Sequence, residues 1–389
     1  MKRSIFLFLF GCMLWPAKAL NVDSLQISLL TVYPNASAVY TIYGHTAMRL
    51  YDPVSGADVV LNWGMFNSHQ PNFLYHFIKG ETDYYFAAIP LEGFLEEYSW
   101  KNATIAEDVL NIPNENKTAL IEMINWNLAP ENVEYRYNFL FDNCVTRPRD
   151  IIEKFCGGVL EYPVLKEPTT FRQLIHSCTD PYPWMTFGID LLIGAGADSI
   201  VGLRSSLFLP LSLKEALNES YTAKNEEKQP VVLQSHIILD SPKVETGSSW
   251  STPARFGWIM FIHSVVLGLW GVWRRKRMNF FFAPWFLIAG LGGCIVAFIT
   301  LFSEHPATSP NWNLLWLHPL HLLAFIGYWF KKPHGIFGYY HWINAIVLIL
   351  ALAAWKWLPQ ILNPADIPYI LLLATASACW IWLTKKQRA

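Results

Sequence analysis

The segment FLFDNCVTRPRDII, residues 139–152, places a cysteine directly after an acid and an amide and ahead of a basic, proline-containing stretch. Cys144 is a potential nucleophile, because a thiol at the start of a helix loses its proton more readily. Asp142 and Asn143 are good capping residues and Pro148 is tolerated in a first turn, so a helix is predicted to begin near Cys144. Taken alone, a free cysteine is more often a buried structural residue than a nucleophile.

A thiol nucleophile needs a base, and His45 is the best candidate. It lies in the strand-like stretch YTIYGHTAMRLYD, where Gly44 and Ala47 leave room for a substrate beside the ring. His69 and His76 lie in a loop and an aromatic segment without a strand to hold them. No spacing in the sequence shows that His45 meets Cys144, so their pairing is a hypothesis.

The first 19 residues are typical of a secretory signal peptide, which places the following domain outside the cytoplasm. Lys2 and Arg3 precede an apolar run over residues 5–15, and Ala17-Lys18-Ala19 has the small-x-small pattern of a cleavage site. We predict cleavage after Ala19. The alternative is a lipoprotein-type signal that ends at Cys12.

The composition divides the chain into a mixed domain and a membrane-like part. The net charge of −1 predicts no bulk attraction to nucleic acid. Over residues 20–213, alternating stretches such as ADVVLNWGMF predict strands and NENKTALIEMINWNLA predicts a helix, as in an α/β domain. Residues 214–253 are polar and are predicted to be a linker. Among the cysteines of the exported part, Cys156 and Cys178 are the pair most easily imagined as a disulfide.

The C-terminal part, residues 254–389, is predicted to be a membrane domain of five helices. Basic clusters follow the first, third and fifth apolar segments, so an exported N-terminal domain puts all of them in the cytoplasm, as the positive-inside rule requires. Each segment is about long enough to span a bilayer. The five segments are residues 256–273, 280–302, 314–330, 342–358 and 367–383.

Several motifs, in this order, resemble the Lnb N-terminal periplasmic domain family: YGHTAMRLYD, VVLNWGMF, FIKGETDYYF, YRYNFLFDNCVTRPRDII and FLP. The resemblance covers most of residues 25–215. It implies an α+β, permuted papain-like periplasmic domain, similar to the NlpC/P60 and lecithin:retinol acyltransferase-like thiol enzymes, followed by an α-helical membrane domain of five transmembrane helices. The full architecture resembles the lipoprotein N-acyltransferases of Bacteroidetes.

The resemblance implies catalytic roles for two residues and suggests two more. Cys144 is the implied nucleophile and His45 its general base. Asn62, on the strand after His45, is predicted to orient the imidazole as the third member of a triad does, although a turn or edge residue is nearly as good an explanation. Asn143 is predicted to join backbone N–H groups at the helix start in an oxyanion hole.

Six further residues are predicted to bind substrate. Two arginines would meet phospholipid head groups, with a solvated basic face as the alternative. One tyrosine would line the pocket or the core. Three polar residues between the second and third apolar segments would line the lipid or amine site, with loop solvation as the alternative. The six are Arg147, Arg149, Tyr84, His305, Asn311 and Asn313.

The implied reaction moves an acyl chain from a membrane phospholipid, through a thioester on Cys144, to the α-amine of the diacylglyceryl-cysteine of a lipoprotein. Its partners would be the phospholipid, the diacylated lipoprotein and the bilayer, with no nucleic acid, no cofactor and no metal. The location would be a bacterial inner membrane, with the C-terminus in the cytoplasm. Two alternatives remain: a periplasmic cysteine peptidase or amidase of the NlpC/P60 type, and a non-catalytic membrane assembly protein.

Overall fold

The computed structural model describes residues 21–164, 167–224, 227–242, 250–330 and 335–386. The predicted signal peptide and the basic pair Lys331–Lys332 lie outside these residues. The described chain forms an N-terminal domain of mixed strands and helices, followed by a bundle of apolar helices.

A seven-stranded antiparallel sheet, in the order β10-β5-β1-β2-β3-β4-β6, forms the frame of the N-terminal domain. A smaller sheet has the order β7-β8-β9. The strands are β1 (Gln26–Val32), β2 (His45–Asp52), β3 (Ala57–Met65), β4 (Asp83–Pro90), β5 (Ile105–Leu110), β6 (Glu134–Arg136), β7 (Val159–Glu161), β8 (Tyr221–Lys224), β9 (Glu227–Pro230) and β10 (Val232–Leu239).

The helices of this domain cover both faces of the large sheet. They are α1 (Phe73–Lys79), α2 (Leu91–Trp100), α3 (Asn114–Leu128), α4 (Thr146–Phe155), α5 (Phe171–Thr179), α6 (Pro183–Leu192), α7 (Leu203–Ser206) and α8 (Pro210–Asn218). Side chains alternate across a strand, so Ile27 and Leu29 of β1 join a core with α3, α4 and α8. Leu30 and Val32 join a second core with α2 on the opposite face.

The predicted linker over residues 214–253 is wrong for much of its length. Helix α8 continues to Asn218, and β10 pairs with β5 at the edge of the main sheet. The stretch VVLQSHIIL has the apolar content of a strand. The polar residues on both sides of it led to the prediction of a linker. The possible disulfide is also wrong, because Cys156 and Cys178 are both free thiols.

Among the described residues, four helices of the C-terminal part are long and apolar enough to cross a bilayer. They are α9 (Pro253–Arg274), α10 (Asn279–Phe302), α12 (Gly335–Ala353) and α13 (Asp366–Lys386), and the short α11 (His321–Gly327) precedes α12. Four of the five predicted segments therefore overlap a helix of spanning length. The expected continuous helix over residues 314–330 is not formed.

That third segment is broken because Pro319 cannot continue a helix. A 3₁₀ turn covers Trp312–Leu315, and α11 begins only at His321. The His321 Nε2 atom lies 2.7 Å from the Trp316 carbonyl oxygen, so the side chain satisfies a backbone group that the break releases. An irregular backbone at membrane depth requires such internal partners.

The N-terminal domain is joined to the bundle by a buried polar network around Arg172. Its guanidinium donates to Asp190 and Asp198, with Nη1–Oδ1 and Nε–Oδ1 distances of 2.7 Å each. The second oxygen of Asp190 accepts from Asn363 Nδ2 at 2.8 Å, and that of Asp198 accepts from the Ile361 N–H at 3.1 Å. One ion-pair cluster thus orients α5, α6 and the loop before α13.

Replacing Arg172 with methionine is expected to lower the stability of the protein by about 3–5 kcal/mol, because the buried Asp198 loses its cationic partner and Asp190 retains only His176. Arg204 is the matched control, since its side chain is 56% exposed in its pairs with Asp150 and Glu153. Arg204→Met should cost less than about 1 kcal/mol. Thermal unfolding of both variants in the same detergent measures the difference, and equal melting temperatures would contradict the assigned role.

Candidate active site

Three predicted residues meet on one side of the main sheet. His45 is the first residue of β2, Asn62 lies in the neighbouring strand β3, and Cys144 precedes α4 by two residues. The His45 Nε2 atom lies 2.6 Å from Asn62 Oδ1, and Asn62 is buried. An amide oxygen accepts only, so Nε2 carries the proton. The other ring nitrogen, Nδ1, is left for the thiol.

The thiol and the imidazole shift each other's pKa in the directions that favour a charged pair. Burial alone would raise the pKa of Cys144, but the His45 imidazolium and a hydrogen bond from it outweigh burial and lower that pKa from 9.0. Burial lowers the pKa of His45, and the Cys144 thiolate more than reverses this and raises it from 6.5. The opposite shifts favour thiolate and imidazolium together, which is the reactive state of a cysteine nucleophile.

Two further groups donate hydrogen bonds to the Cys144 sulfur: the backbone N–H of Thr46 and the hydroxyl of Tyr137. Gly64 allows the close approach of β3. A Cβ atom added there would lie 3.4 Å from the Cys144 Cβ, and its φ of +85° disfavours any side chain. The thiol therefore lies between the strands on one side and α4 on the other.

Asn143 caps α4, so its predicted place in an oxyanion hole is corrected. Its Oδ1 accepts from the N–H groups of Val145 and Thr146 at 2.8 and 2.9 Å. Its Nδ2 donates to the carbonyls of Phe139 and Phe208 at 2.7 and 3.0 Å, which uses both amide hydrogens. The side chain positions the turn that carries Cys144.

The two arginines predicted to meet head groups bind within the domain instead. Arg147 forms a forked pair with Asp142, with Nε–Oδ1 at 2.6 Å and Nη2–Oδ2 at 2.9 Å, and its guanidinium carbon lies 3.5 Å from the Tyr135 ring centroid. Arg149 is buried, where it pairs with Asp150 and donates to the Arg204 carbonyl. Arg149 is inaccessible to a head group.

The remaining predicted substrate residues lie in two places. Tyr84 is buried near the thiol, with its ring 4.2 Å from that of Tyr137, and burial raises its pKa to about 12. His305, Asn311 and Asn313 lie at the junction of the two domains. His305 Nε2 lies 2.6 Å from the Phe77 carbonyl, whereas Asn311 and Asn313 are buried and donate to the backbone of α6. These three residues connect the domains and do not line the thiol.

A cavity of about 250 Å³ lies beside His45. Its apolar wall includes Tyr40, Met65 and Phe66. The polar side chains that also line it are those of Asn35, Thr41, Ser68, Glu97 and Lys101. A thiolate, an imidazolium and a cavity together can perform nucleophilic attack on a carbonyl carbon, with the imidazole moving the proton.

Two family models match the chain. The Lnb N-terminal periplasmic domain matches residues 13–177, and the Lnb transmembrane domain matches residues 245–388. The chain belongs to the Lnb family. It is a membrane protein with a periplasmic N-terminal domain, and Cys144 and His45 both lie within the match to that domain. Comparison of the chain with curated proteins and with solved structures gave no match.

In this member of the Lnb family, the main site residue that sequence reasoning missed is Tyr137. It lies seven residues before Cys144, in YRYNFLFDNC, and its only signal is an aromatic with a hydroxyl between polar neighbours. The contribution of Thr46 is a backbone N–H, which no residue type can reveal. Both contacts can be recognised only in the folded domain, where β2 lies next to the turn that precedes α4.

Replacing Asn62 with alanine is expected to slow alkylation of Cys144 at neutral pH by about tenfold. The reason is that the buried His45 Nε2–H loses its hydrogen-bond acceptor, which destabilises the imidazolium by about 1–3 kcal/mol. The rate of iodoacetamide labelling across pH measures this. Asn62→Asp serves as the control, because a carboxylate still accepts from Nε2 and should preserve fast labelling. Equal rates in Asn62→Ala and the wild type would contradict a positioning role for Asn62.

Proposed function

We propose that this member of the Lnb family is an N-acyltransferase that moves an acyl chain from a membrane phospholipid to the N-terminal α-amine of diacylated lipoproteins. The observation that carries the proposal is the Cys144–His45 pair beside a cavity, in a domain docked on apolar helices. Both substrates are confined to a bilayer, so a membrane-bound enzyme meets them at high effective concentration.

In the first step, the Cys144 thiolate attacks the carbonyl carbon of a phospholipid ester. The carbon–sulfur bond forms, the negative charge moves to the carbonyl oxygen, and the carbon–oxygen bond to glycerol then breaks. The His45 imidazolium gives its Nδ1 proton to the departing alkoxide, so a lysophospholipid leaves and an acyl thioester remains.

In the second step, the α-amine of the lipoprotein attacks the thioester carbonyl. Neutral His45 takes a proton from the attacking nitrogen, and the carbon–sulfur bond breaks. The product is an amide, and the thiolate–imidazolium pair is restored. In both steps, the backbone N–H of Cys144 is the proposed donor to the developing oxyanion, because the N–H groups of Val145 and Thr146 already donate to Asn143 Oδ1.

The finer points of fold and location belong to the same proposal. The thiol ahead of a helix, with histidine and asparagine on adjacent strands, supports the proposal of a permuted papain-like domain. The basic clusters favour an inner-membrane protein with a cytoplasmic C-terminus.

The proposal is tested with the full chain in vesicles that contain a phospholipid with an isotope-labelled acyl chain. The acceptor is a peptide with an N-terminal diacylglyceryl-cysteine. We expect mass spectrometry to find the labelled acyl amide on the peptide and a hydroxylamine-sensitive acyl group on Cys144. Absence of both, together with cleavage of peptidoglycan stem peptides, would replace the proposal with an amidase. Absence of both without any cleavage, and slow alkylation of Cys144, would favour the assembly protein.

A further inference from the structure

Helix α1 is unusual in the periplasmic domain because its large apolar side chains face outward. Its sequence is FLYHFIK, and none of its residues is fully buried. Leu74 is 68% exposed, Tyr75 51% and Phe77 44%. An amphipathic surface helix normally turns its apolar residues toward the core, so this helix requires an apolar partner.

The contacts that α1 makes with the end of α10 indicate where this apolar partner lies. The Tyr75 ring centroid lies 6.3 Å from that of Phe298, four residues before the last residue of α10. Four residues are about 6 Å of helix. Ser303 Oγ donates to the Ile78 carbonyl at 2.8 Å, which fixes the end of α1 to the end of the spanning helix. Because α10 is long and apolar enough to cross a bilayer, α1 lies beside the end of a candidate spanning helix.

A row of aromatic rings leads from α1 to the thiol. The rings follow one another in the order Phe77, Phe73, Phe66, Tyr84 and Tyr137. The distances between the centroids of successive rings in this order are 6.0, 5.7, 5.1 and 4.2 Å. Phe66 lines the cavity beside His45, and Tyr137 donates a hydrogen bond to Cys144. The row is an apolar wall between the membrane surface and the nucleophile.

We propose that α1 inserts into the outer leaflet of the bilayer and that the row Phe77–Phe73–Phe66 guides the acyl ester of a membrane lipid to Cys144. The lipid chemistry rests on the proposed function, whereas the insertion of α1 rests on its contacts alone. The cavity of about 250 Å³ is below the roughly 300–1,000 Å³ typical of pockets for drug-sized ligands. Only the reacting part of a lipid fits, so the remainder must stay in the bilayer beside α1.

The direct test is photolabelling of the full chain in vesicles of phosphatidylethanolamine and phosphatidylglycerol, with a trace of phospholipid carrying a diazirine on its acyl chain. We expect adducts on the peptide that contains α1, in the wild type and equally in Cys144→Ala. Labelling of α9, α10, α12 and α13 without any on the α1 peptide would overturn the insertion. A second copy of the chain on α1 would give the same negative result.

A variant tests the guiding role. Leu74→Asp is expected to slow formation of acyl-Cys144 from vesicle phospholipid by at least about tenfold, because an exposed apolar anchor becomes charged. Labelling of Cys144 by water-soluble iodoacetamide should not change. Leu233→Asp is the matched control, since Leu233 is 59% exposed on the edge strand β10 and should affect neither rate.

The outcomes separate the two proposals. Lipid adducts on α1 without any acyl-Cys144 in the wild type would retain the membrane helix and reject the acyltransferase. Acyl-Cys144 that forms equally fast in Leu74→Asp and the wild type would reject the guiding role and retain the acyltransferase.

Discussion

Replacing Cys144 with serine is expected to reduce acyl transfer by at least about a thousandfold, the scale of loss when a covalent nucleophile is removed. A serine hydroxyl remains protonated beside His45, whereas the pKa of the Cys144 thiol is lowered by the imidazolium, which favours the thiolate. Serine retains the approximate size of the side chain, so the domain should still fold. Mass spectrometry of the lipid-modified acceptor peptide measures the loss.

Cys156→Ser is the matched control for this change. Cys156 lies at the opposite end of α4 and is also buried, but its thiol donates only to the carbonyls of Glu153 and Gly158, and a serine hydroxyl can do the same. Burial raises the pKa of Cys156, which leaves it an unreactive thiol. This variant should transfer acyl groups at the wild-type rate. Transfer by Cys144→Ser at a comparable rate would eliminate the thioester mechanism.

Replacing His45 with alanine is expected to reduce acyl transfer by about 10²–10⁴-fold, the usual contribution of a general acid–base. The same change should shift the pH profile of Cys144 alkylation. In the wild type, the pKa of Cys144 is lowered from 9.0, so labelling should remain rapid to lower pH than for an ordinary thiol and should slow as pH falls through the lowered pKa. Without the imidazolium, burial raises the pKa, so rapid labelling should require pH near or above 9.0.

The pH profile distinguishes a catalytic base from a structural histidine. His236→Ala is the control, because its side chain is 42% exposed on β10, far along the sheet from β2, and should not shift the profile. A folded His45→Ala protein that still labels rapidly at pH 7 would show that another group lowers the pKa of Cys144. For the wild-type enzyme we expect a bell-shaped rate profile between the pKa values of the pair.

The membrane part illustrates the limit of reading hydropathy alone. Apolar content predicted a third helix over residues 314–330, and Pro319 should have counted against it. The same polar residues that suggested a binding site, Asn311 and Asn313, are used to hold α6 against the bundle. Polar residues at the mouth of a membrane domain bind a ligand or a neighbouring domain equally well, and residue type does not distinguish the two.

The sequence by itself predicted the export signal and the apolar segments, and it supplied the two residues able to act as nucleophile and base. These features are local, because they depend on the order of residues within about 20 positions. It also indicated that Asn62 follows His45 on the next strand. Family resemblance supplied the pairing of Cys144 with His45, which no local pattern contains.

Tertiary structure alone decided which groups meet the thiol. His45 and Cys144 are 99 residues apart in number, so only the packing of α4 on β2 brings the imidazole and Tyr137 to the sulfur. Side-chain hydrogen bonds then assigned Asn143 to a helix cap and Arg149 to the interior. The physical reason is that a pKa and a free donor depend on distances between atoms, and those distances arise only when distant segments pack.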